Sequence, residues 1–307
     1  MLVRKEYVFK VASGVPIAAD VYFRKANTSS RLPIALHFHG GNFTVGSKEM
    51  LPHYQAAKLV DLGFVVVSAN YRLCPTITVY EGPVSDAFDA YKWSQSKLPD
   101  LLSNDAGVSV DGSRIVTFGH SCGAALALLM AGLSHPPLAI LDIYGMKYFS
   151  DHVYHNAVSP PSASSKLDDN FLGQIWNDVP PPSSGPPPMG PSGPDFTNYR
   201  VAWMFDALQR GTLLKLTVGD ENYDRVDPVS LFSKGNFPPT YFIHGTKDTL
   251  VPARVSQRAY NDLKSIGVET ELVLVEGGQH GLDSNVQPGD SVFGLLTKGF
   301  EFLRAHV

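Results

Sequence analysis

From about residue 34 onward, short continuous apolar runs alternate with helix-patterned stretches, and this alternation limits the fold more than any other feature. "IALHFH" (34–39) and "GFVVVSAN" (63–70) are runs of the kind found in strands buried on both faces. Between them, "MLPHYQAAKLVDLG" reads as a helix that stops at Gly63. The helix "VSDAFDAYKWSQSKL" (84–98), the strand "RIVTF", the helix "CGAALALLMAGL" and the strand "LAILDIYG" (138–145) follow. The pattern resumes with "PTYFIHG", "ARVSQRAYNDLKSIG", "ETELVLVEGG" and "SVFGLLTKGFEFLRA". Such alternation predicts a mainly parallel sheet covered by helices on both faces. Sheets of this kind take ligands beyond the carboxyl ends of their strands. Ahead of it, "EYVFKVASGVPIAADVYFRK" reads as an antiparallel hairpin turning at Ser13 and Gly14.

The rhythm breaks between Met146 and Asn236, where "SPPSASS" and "VPPPSSGPPPMGPSGPDF" predict extended, weakly ordered chain. The interleaved "NFLGQIW" and "NYRVAWMFDALQR" are too aromatic for disorder alone. The expected organisation is therefore a core from two pieces, 1–145 and 237–307, with 146–236 inserted as a partial cap over the sheet's edge. A chain of 307 residues with 44% hydrophobic content can bury such a core.

The net charge of -4, with Lys and Arg spread along the chain, excludes a basic stripe for nucleic acid or an anionic membrane surface. No apolar run approaches the roughly 18 residues of a membrane span. "MLVRKEYVFK" lacks the apolar segment of a signal peptide, and two cysteines make no disulfide framework, so a reducing, cytoplasmic setting is expected.

"GHSCG" (119–123) stands between "RIVTF" and its helix. A Gly-x-Ser-x-Gly match arises by chance roughly one time in ten in a chain of this length. A strand running straight into it and a helix leaving it make a sharp turn that lifts a serine hydroxyl above the sheet. Serine needs a base, and the base needs an orienting acid. His280 in "EGGQHGL" and Asp248 in "HGTKDTLVP" each follow a predicted strand, in the chain order Ser121, Asp248, His280. Rival acids are Asp142, inside a strand, and Asp220, inside the insertion. "HFHGGNF" supplies glycines where backbone N–H groups can approach a developing oxyanion, and the amide of Cys122 is a further donor.

Together these segments resemble the hormone-sensitive-lipase-like group of the α/β hydrolases (the α/β-hydrolase-3 type). "HGGN", "YRLCP", "EGPVSDAFDAYKW", "GHSCG", "DPVSLF", "FPPTYFIHGTKD" and "GGQHGL" fall in that group's order from about Ile34 to the C-terminus. The resemblance implies an α/β-hydrolase fold with a cap insertion and a Ser121–Asp248–His280 triad. It also implies an oxyanion hole from the amides of Gly41, Asn42 and Cys122, with Gly40 giving access. It implies hydrolysis of a small-molecule carboxylic ester through an acyl-enzyme, without metal or organic cofactor. The short cap and "HGGN" loop are most similar to fungal secondary-metabolism members. Acyl transfer, lactonisation, polyketide release or dehydration on the same triad is the alternative, and a non-catalytic receptor ranks last because His280 is present. Oligomeric state is left open.

The sequence departs from the group at Asn42 (usually a third glycine), His120 (usually acidic), Thr76 (usually Glu) and in the absence of lid helices before the first strand. Asn tolerates left-handed backbone, so the hole is expected to survive with altered shape. His37 and His39 could suggest a metal pair, but without partners at ligand spacing structural roles are expected. His120 is expected beside the turn, Cys122 as a buried filler, and Asp86 in structural hydrogen bonds. Trp176, Trp203 and Phe205 could line a pocket or form the cap's own core.

Overall fold

The computed structural model describes residues 1–25, 31–157 and 168–307. β1 (Val3–Ala12) and β2 (Val15–Phe23) form the expected antiparallel hairpin. Ser13 and Gly14 both have positive φ (52° and 78°), the turn whose twist matches the flanking strands. β3 (Leu32–Phe38), β4 (Val65–Ala69), β5 (Val110–His120), β6 (Ile140–Ile143), β7 (Thr240–Gly245) and β8 (Thr270–Val275) complete one eight-stranded sheet. The order is β1-β2-β4-β3-β5-β6-β7-β8, with β3 to β8 parallel. From β3 the chain moves outward to β4 and then returns to β5 on the other side. The chains leaving the carboxyl ends of β3 and β5 therefore diverge and open a crevice there. The "HGGN" loop leaves β3 and Ser121 leaves β5, so topology alone brings them together.

Both sheet faces are covered, which is why the strands read as unbroken apolar runs. On β3, Ile34, Leu36 and Phe38 enter one core while Ala35 enters the other. α1 (His53–Asp61) packs on the second face with α9 (Ser291–Ala305), through Ala56, Leu59, Leu296 and Phe300. α2 (Ser85–Ser96), α3 (Leu98–Ala106), α4 (Cys122–Leu129) and α8 (Arg254–Ser265) cover the first. Every residue of α4 is buried, so its small side chains let it sit close under the sheet's centre. α3 escapes a reading by hydrophobic period. It starts at the Leu98-Pro99 step, where proline suits a first turn, and ends at Gly107 in left-handed backbone.

The segment 146–236 differs from the expectation in two ways. α6 (Tyr199–Gln209) and α7 (Leu213–Val218) lie over the carboxyl ends of the strands rather than the sheet's edge, because Leu208, Leu213 and Leu214 wall the same cleft as Ser121 and His280. α5 (Asp169–Gly173) joins α6 in a small core that also takes in Val45 of the loop after β3, whereas Tyr148, Phe149, Leu214, Val226 and Phe232 pack into the main core. The part that packs away from the main core is thus narrower than the composition break.

The stretch "VPPPSSGPPPMGPSGPDF" is also docked rather than loose. Pro182 O accepts from Leu73 N (2.8 Å), Pro186 O accepts from Gly46 N (2.7 Å), and Gly185 N donates to Gly46 O (2.9 Å). Proline has no N–H, but an extended Pro-rich chain keeps its carbonyls free to accept from loop amides. The stretch "SPPSASS" lies outside the described residues. Among the described residues, no helix is long and apolar enough to cross a membrane.

Candidate active site

β5 delivers Ser121 into a backbone conformation (φ 54°, ψ −124°) that a residue with a side chain rarely adopts. The turn is held from both sides: Ser121 N donates to Ile143 O (3.0 Å), and Ser121 O accepts from Ala124 N (3.1 Å) and Met146 N (3.2 Å). Glycines make the room. A Cβ on Gly119 would stand 2.3 Å from Gly123 O, and one on Gly123 would stand 2.2 Å from Phe38 O. Both obstacles are backbone, so Gly123→Ala is expected to destabilise the protein by about 1–3 kcal/mol, measured by urea unfolding. An unchanged midpoint would mean that the strand-to-helix turn yields more easily than its contacts imply.

The loops after β7 and β8 meet edge to edge. A Cβ on Gly245 would be 2.3 Å from Gly278 O, and Lys247 N donates to Gly278 O (2.9 Å). This contact sets Asp248 beside His280. His280 Nδ1 is 2.7 Å from Asp248 Oδ2, and Nε2 is 3.0 Å from Ser121 Oγ. The nitrogen facing the carboxylate carries the proton, which leaves a lone pair at Nε2 for the serine hydroxyl. Asp248 Oδ1 accepts from the amides of Leu250 (2.9 Å) and Val251 (2.8 Å). Burial pushes the Asp248 carboxyl up, but hydrogen bonds from His244 and His280 outweigh it and hold the group well below the usual carboxylate range.

The β3 loop passes over this serine. A Cβ on Gly40 would lie 3.2 Å from Ser121 Cβ, and one on Gly41 (φ 114°) 2.2 Å from Val45 O. Asn42 (φ 53°) and Phe43 (φ 60°) continue in left-handed backbone, the conformation that asparagine was expected to tolerate. Asn42 turns its side chain toward Met204 of α6, 3.7 Å from Nδ2 to Sδ. Phe43 N donates to Cys122 Sγ (3.3 Å), tying the loop to the first turn of α4. Cys122 is buried, and burial pushes its thiol up to about 11, so it stays protonated. Its amide opens α4, at the positive end of the helix dipole. The cleft above is partly open to solvent and is lined by Asn42, Ser121 and His280, with Met146, Leu214 and Val251 among its apolar residues.

The sequence candidates divide cleanly. Ser121, Asp248, His280, Gly40, Gly41, Asn42 and Cys122 converge. Asp142 faces Lys147 (2.9 Å) and Asp220 pairs with Arg225 at the surface, so neither rival acid reaches His280. His37 bridges Ser68 and His120 (2.9 Å each), and His39 stacks on Tyr71. Burial pulls the His37 imidazole well down and His39 to about 4. Among the described residues, no group of three or more candidate metal ligands gathers. Asp86 accepts from Arg72 Nε (2.9 Å), Nη2 (2.8 Å) and backbone N (2.8 Å), a structural clamp on the "YRLCP" segment. Thr76 Oγ1 donates to Asp178 O (2.7 Å). Trp203 and Phe205 belong to the small core and Trp176 packs edge-on against Trp203; none lines the cleft.

Two residues here, Asp283 and Tyr144, carry no motif signal. Asp283 is buried and accepts from Tyr144 Oη and Gln55 Nε2. His120 Nε2 stands 2.9 Å from Asp283 Oδ2, off the line of an N–H bond, so that contact is electrostatic. Tyr144 sets its ring edge-on to His280, with centroids 4.9 Å apart. Asp283 thus links the neighbour of Ser121 to the loop that carries His280.

Residues 35–167 match the family model described as the alpha/beta hydrolase fold. The carboxylesterase EstE1 from a metagenomic library superposes with a TM-score of 0.66 at 22% identity, covering 99% of this chain and 89% of its own. The chain has the α/β-hydrolase fold. Esterase 2 of Thermogutta terrifontis is a second structural match to this chain, with TM-score 0.63, 21% identity and coverage of 97% and 91%. Two curated relatives are the non-reducing polyketide synthases ausA and pkbA of Emericella nidulans, 30% and 32% identical over 98% of this chain. This chain spans only 14% of the length of each.

Proposed function

We propose that this α/β hydrolase cleaves carboxylic esters, with Ser121 as nucleophile, His280 as base and Asp248 as the acid that orients it. The observation that carries the reading is the unbroken line Ser121 Oγ, His280 Nε2, His280 Nδ1, Asp248 Oδ2, at 3.0 and 2.7 Å. His280 takes the serine proton as Oγ attacks the carbonyl carbon, and Asp248 stabilises the imidazolium. The amides of Gly41, Asn42 and Cys122 receive the oxyanion. His280 then protonates the leaving alcohol, and water activated by the same ring releases the acid. The apolar walls favour an acyl group without charge.

A second reading keeps this machinery and makes the acyl group a polyketide chain, released by water or by one of its own hydroxyl groups. The match of nearly the whole chain to a portion of polyketide synthases favours it. The experiment that tests the common core is labelling with a fluorophosphonate. One adduct, mapped to Ser121, is expected, and folded protein that takes no label would sink both readings. Product analysis then separates them: acid from simple esters supports the first, a cyclised or released polyketide alone the second.

A further inference from the structure

Asp248 serves two histidines. Its Oδ2 accepts from His280 Nδ1 at 2.7 Å and lies 3.2 Å from Nε2 of His244, a fully buried residue of β7. His244 Nε2 also faces Val251 O at 2.7 Å, and a ring nitrogen placed between two acceptors carries a proton. His244 Nδ1 is 2.7 Å from Ser256 Oγ on α8. Ser256 Oγ accepts from Lys147 Nζ (2.9 Å), which also donates to Gly145 O (2.6 Å) and faces Asp142 Oδ2 in an ionic contact at 2.9 Å. Burial pulls Lys147 toward neutrality, and Asp142 opposes this. With Lys147 on its acceptor side, the serine hydroxyl hydrogen points at His244 Nδ1. The ring is then the neutral Nε2–H tautomer, aimed at the carboxylate.

We propose that His244 is a positioning residue for the ester chemistry: it holds Asp248 Oδ2 in place beneath His280 and weakens that oxygen's pull on the His280 proton, while Lys147 and Ser256 anchor its far side at Nδ1. The inference rests on the reading of Ser121 as nucleophile and His280 as base. An oxygen that accepts from two N–H groups is a weaker acceptor toward each. Without the His244 donor, Asp248 attracts the His280 imidazolium more strongly, which moves the acid limb of the pH profile upward. The titratable and charged groups around this line are His244, Tyr144, Lys147, Asp142, Asp227 and Asp283. Among the described residues, only His244 and His280 are hydrogen-bonded to Oδ2.

The test is the pH profile of kcat/KM on p-nitrophenyl butyrate for the full chain and for His244→Leu, His244→Gln and Ser256→Ala. In His244→Leu the acid-limb midpoint is expected to rise by about half to one pH unit, with kcat about tenfold lower and KM unchanged. His244→Gln, whose side-chain N–H reaches toward the Nε2 position, is expected to recover most of that shift. Ser256→Ala is expected to move the midpoint the same way by less, because the ring loses its anchor on α8, while 15N NMR of its His244 ring is expected to keep the Nε2–H form that Val251 O and Asp248 Oδ2 require. Profiles of folded His244→Leu and Ser256→Ala that superimpose on the parent overturn the proposal. If His244→Leu does not fold, the Ser256→Ala profile and the ring tautomer decide alone. Activity surviving in Ser121→Ala overturns the underlying reading; an inactive Ser121→Ala with unmoved profiles overturns only the role of His244.

Discussion

Ser121→Ala is expected to lower kcat on a short p-nitrophenyl ester by about 10⁵ to 10⁶, the scale at which a serine hydrolase loses its nucleophile. The substitution removes one oxygen and little else. The bonds that hold the turn run through the backbone of residue 121, to Ile143, Ala124 and Met146, and alanine keeps them. The positive φ burdens serine and alanine alike, and His280 Nε2, part-buried, exchanges one partner for water. Stability is therefore expected within about 0.5 kcal/mol of the parent. Residual turnover from the oxyanion amides and substrate binding should remain above the rate in water. Steady-state kinetics with a thermal melt checks both halves. Activity within tenfold of the parent, on a protein with unchanged Tm, would remove Ser121 from the mechanism.

How far the sequence carried the site follows from where each residue sits. Ser121, Asp248 and His280 each leave the carboxyl end of a strand whose apolar run is plain in the text, and a parallel sheet gathers such ends on one side. Gly40 is legible for a related reason, since a loop that crosses a nucleophile this closely leaves little space for a Cβ, and Gly41 because the loop turns back on its own Val45 O in left-handed backbone. His244 and Asp283 are different. His244 lies within the strand "TYFIHG", where a buried polar residue breaks no pattern, and its partners Val251 and Ser256 come from a loop and a helix. Asp283 collects Gln55 and Tyr144 from segments 228 and 139 residues away. Such pairings have no period and no fixed spacing, so they emerge only when the chain has folded. The Pro-rich stretch misled in the opposite direction. Its composition speaks of an isolated chain without N–H donors, whereas in the fold its carbonyls satisfy Leu73 and Gly46. Likewise, nothing in the composition break at Met146 distinguishes residues that return to the main core, such as Phe149, from those that build the small one.

Asp248→Asn is expected to cost about 10⁴ in kcat, the drop seen when a triad aspartate loses its charge but not its shape. The hydrogen-bond pattern explains why an amide fails here. Two fixed donors, Leu250 N and Val251 N, point at Oδ1, so the asparagine must keep its oxygen there. Its NH₂ group then occupies the place of Oδ2, where it meets His280 and His244 Nε2–H. His280 can relieve the clash by presenting a lone pair at Nδ1, but its proton then sits on Nε2 and faces Ser121 Oγ. A ring in that tautomer cannot take the serine proton. The same substitution carries a stability signature whose sign is fixed. The Asp248 carboxyl is held below its unfolded value, so it stabilises the fold above that value and loses this contribution as pH falls toward the folded one. The asparagine variant is therefore expected to be about 2 kcal/mol less stable at neutral pH, with the gap closing below about pH 4. Unfolding curves at both pH values, beside kcat at neutral pH, give the measurement. Full activity in Asp248→Asn would mean that His280 is oriented by something other than this carboxylate, and a gap that does not narrow in acid would mean that Asp248 is not the group whose charge the fold has stabilised.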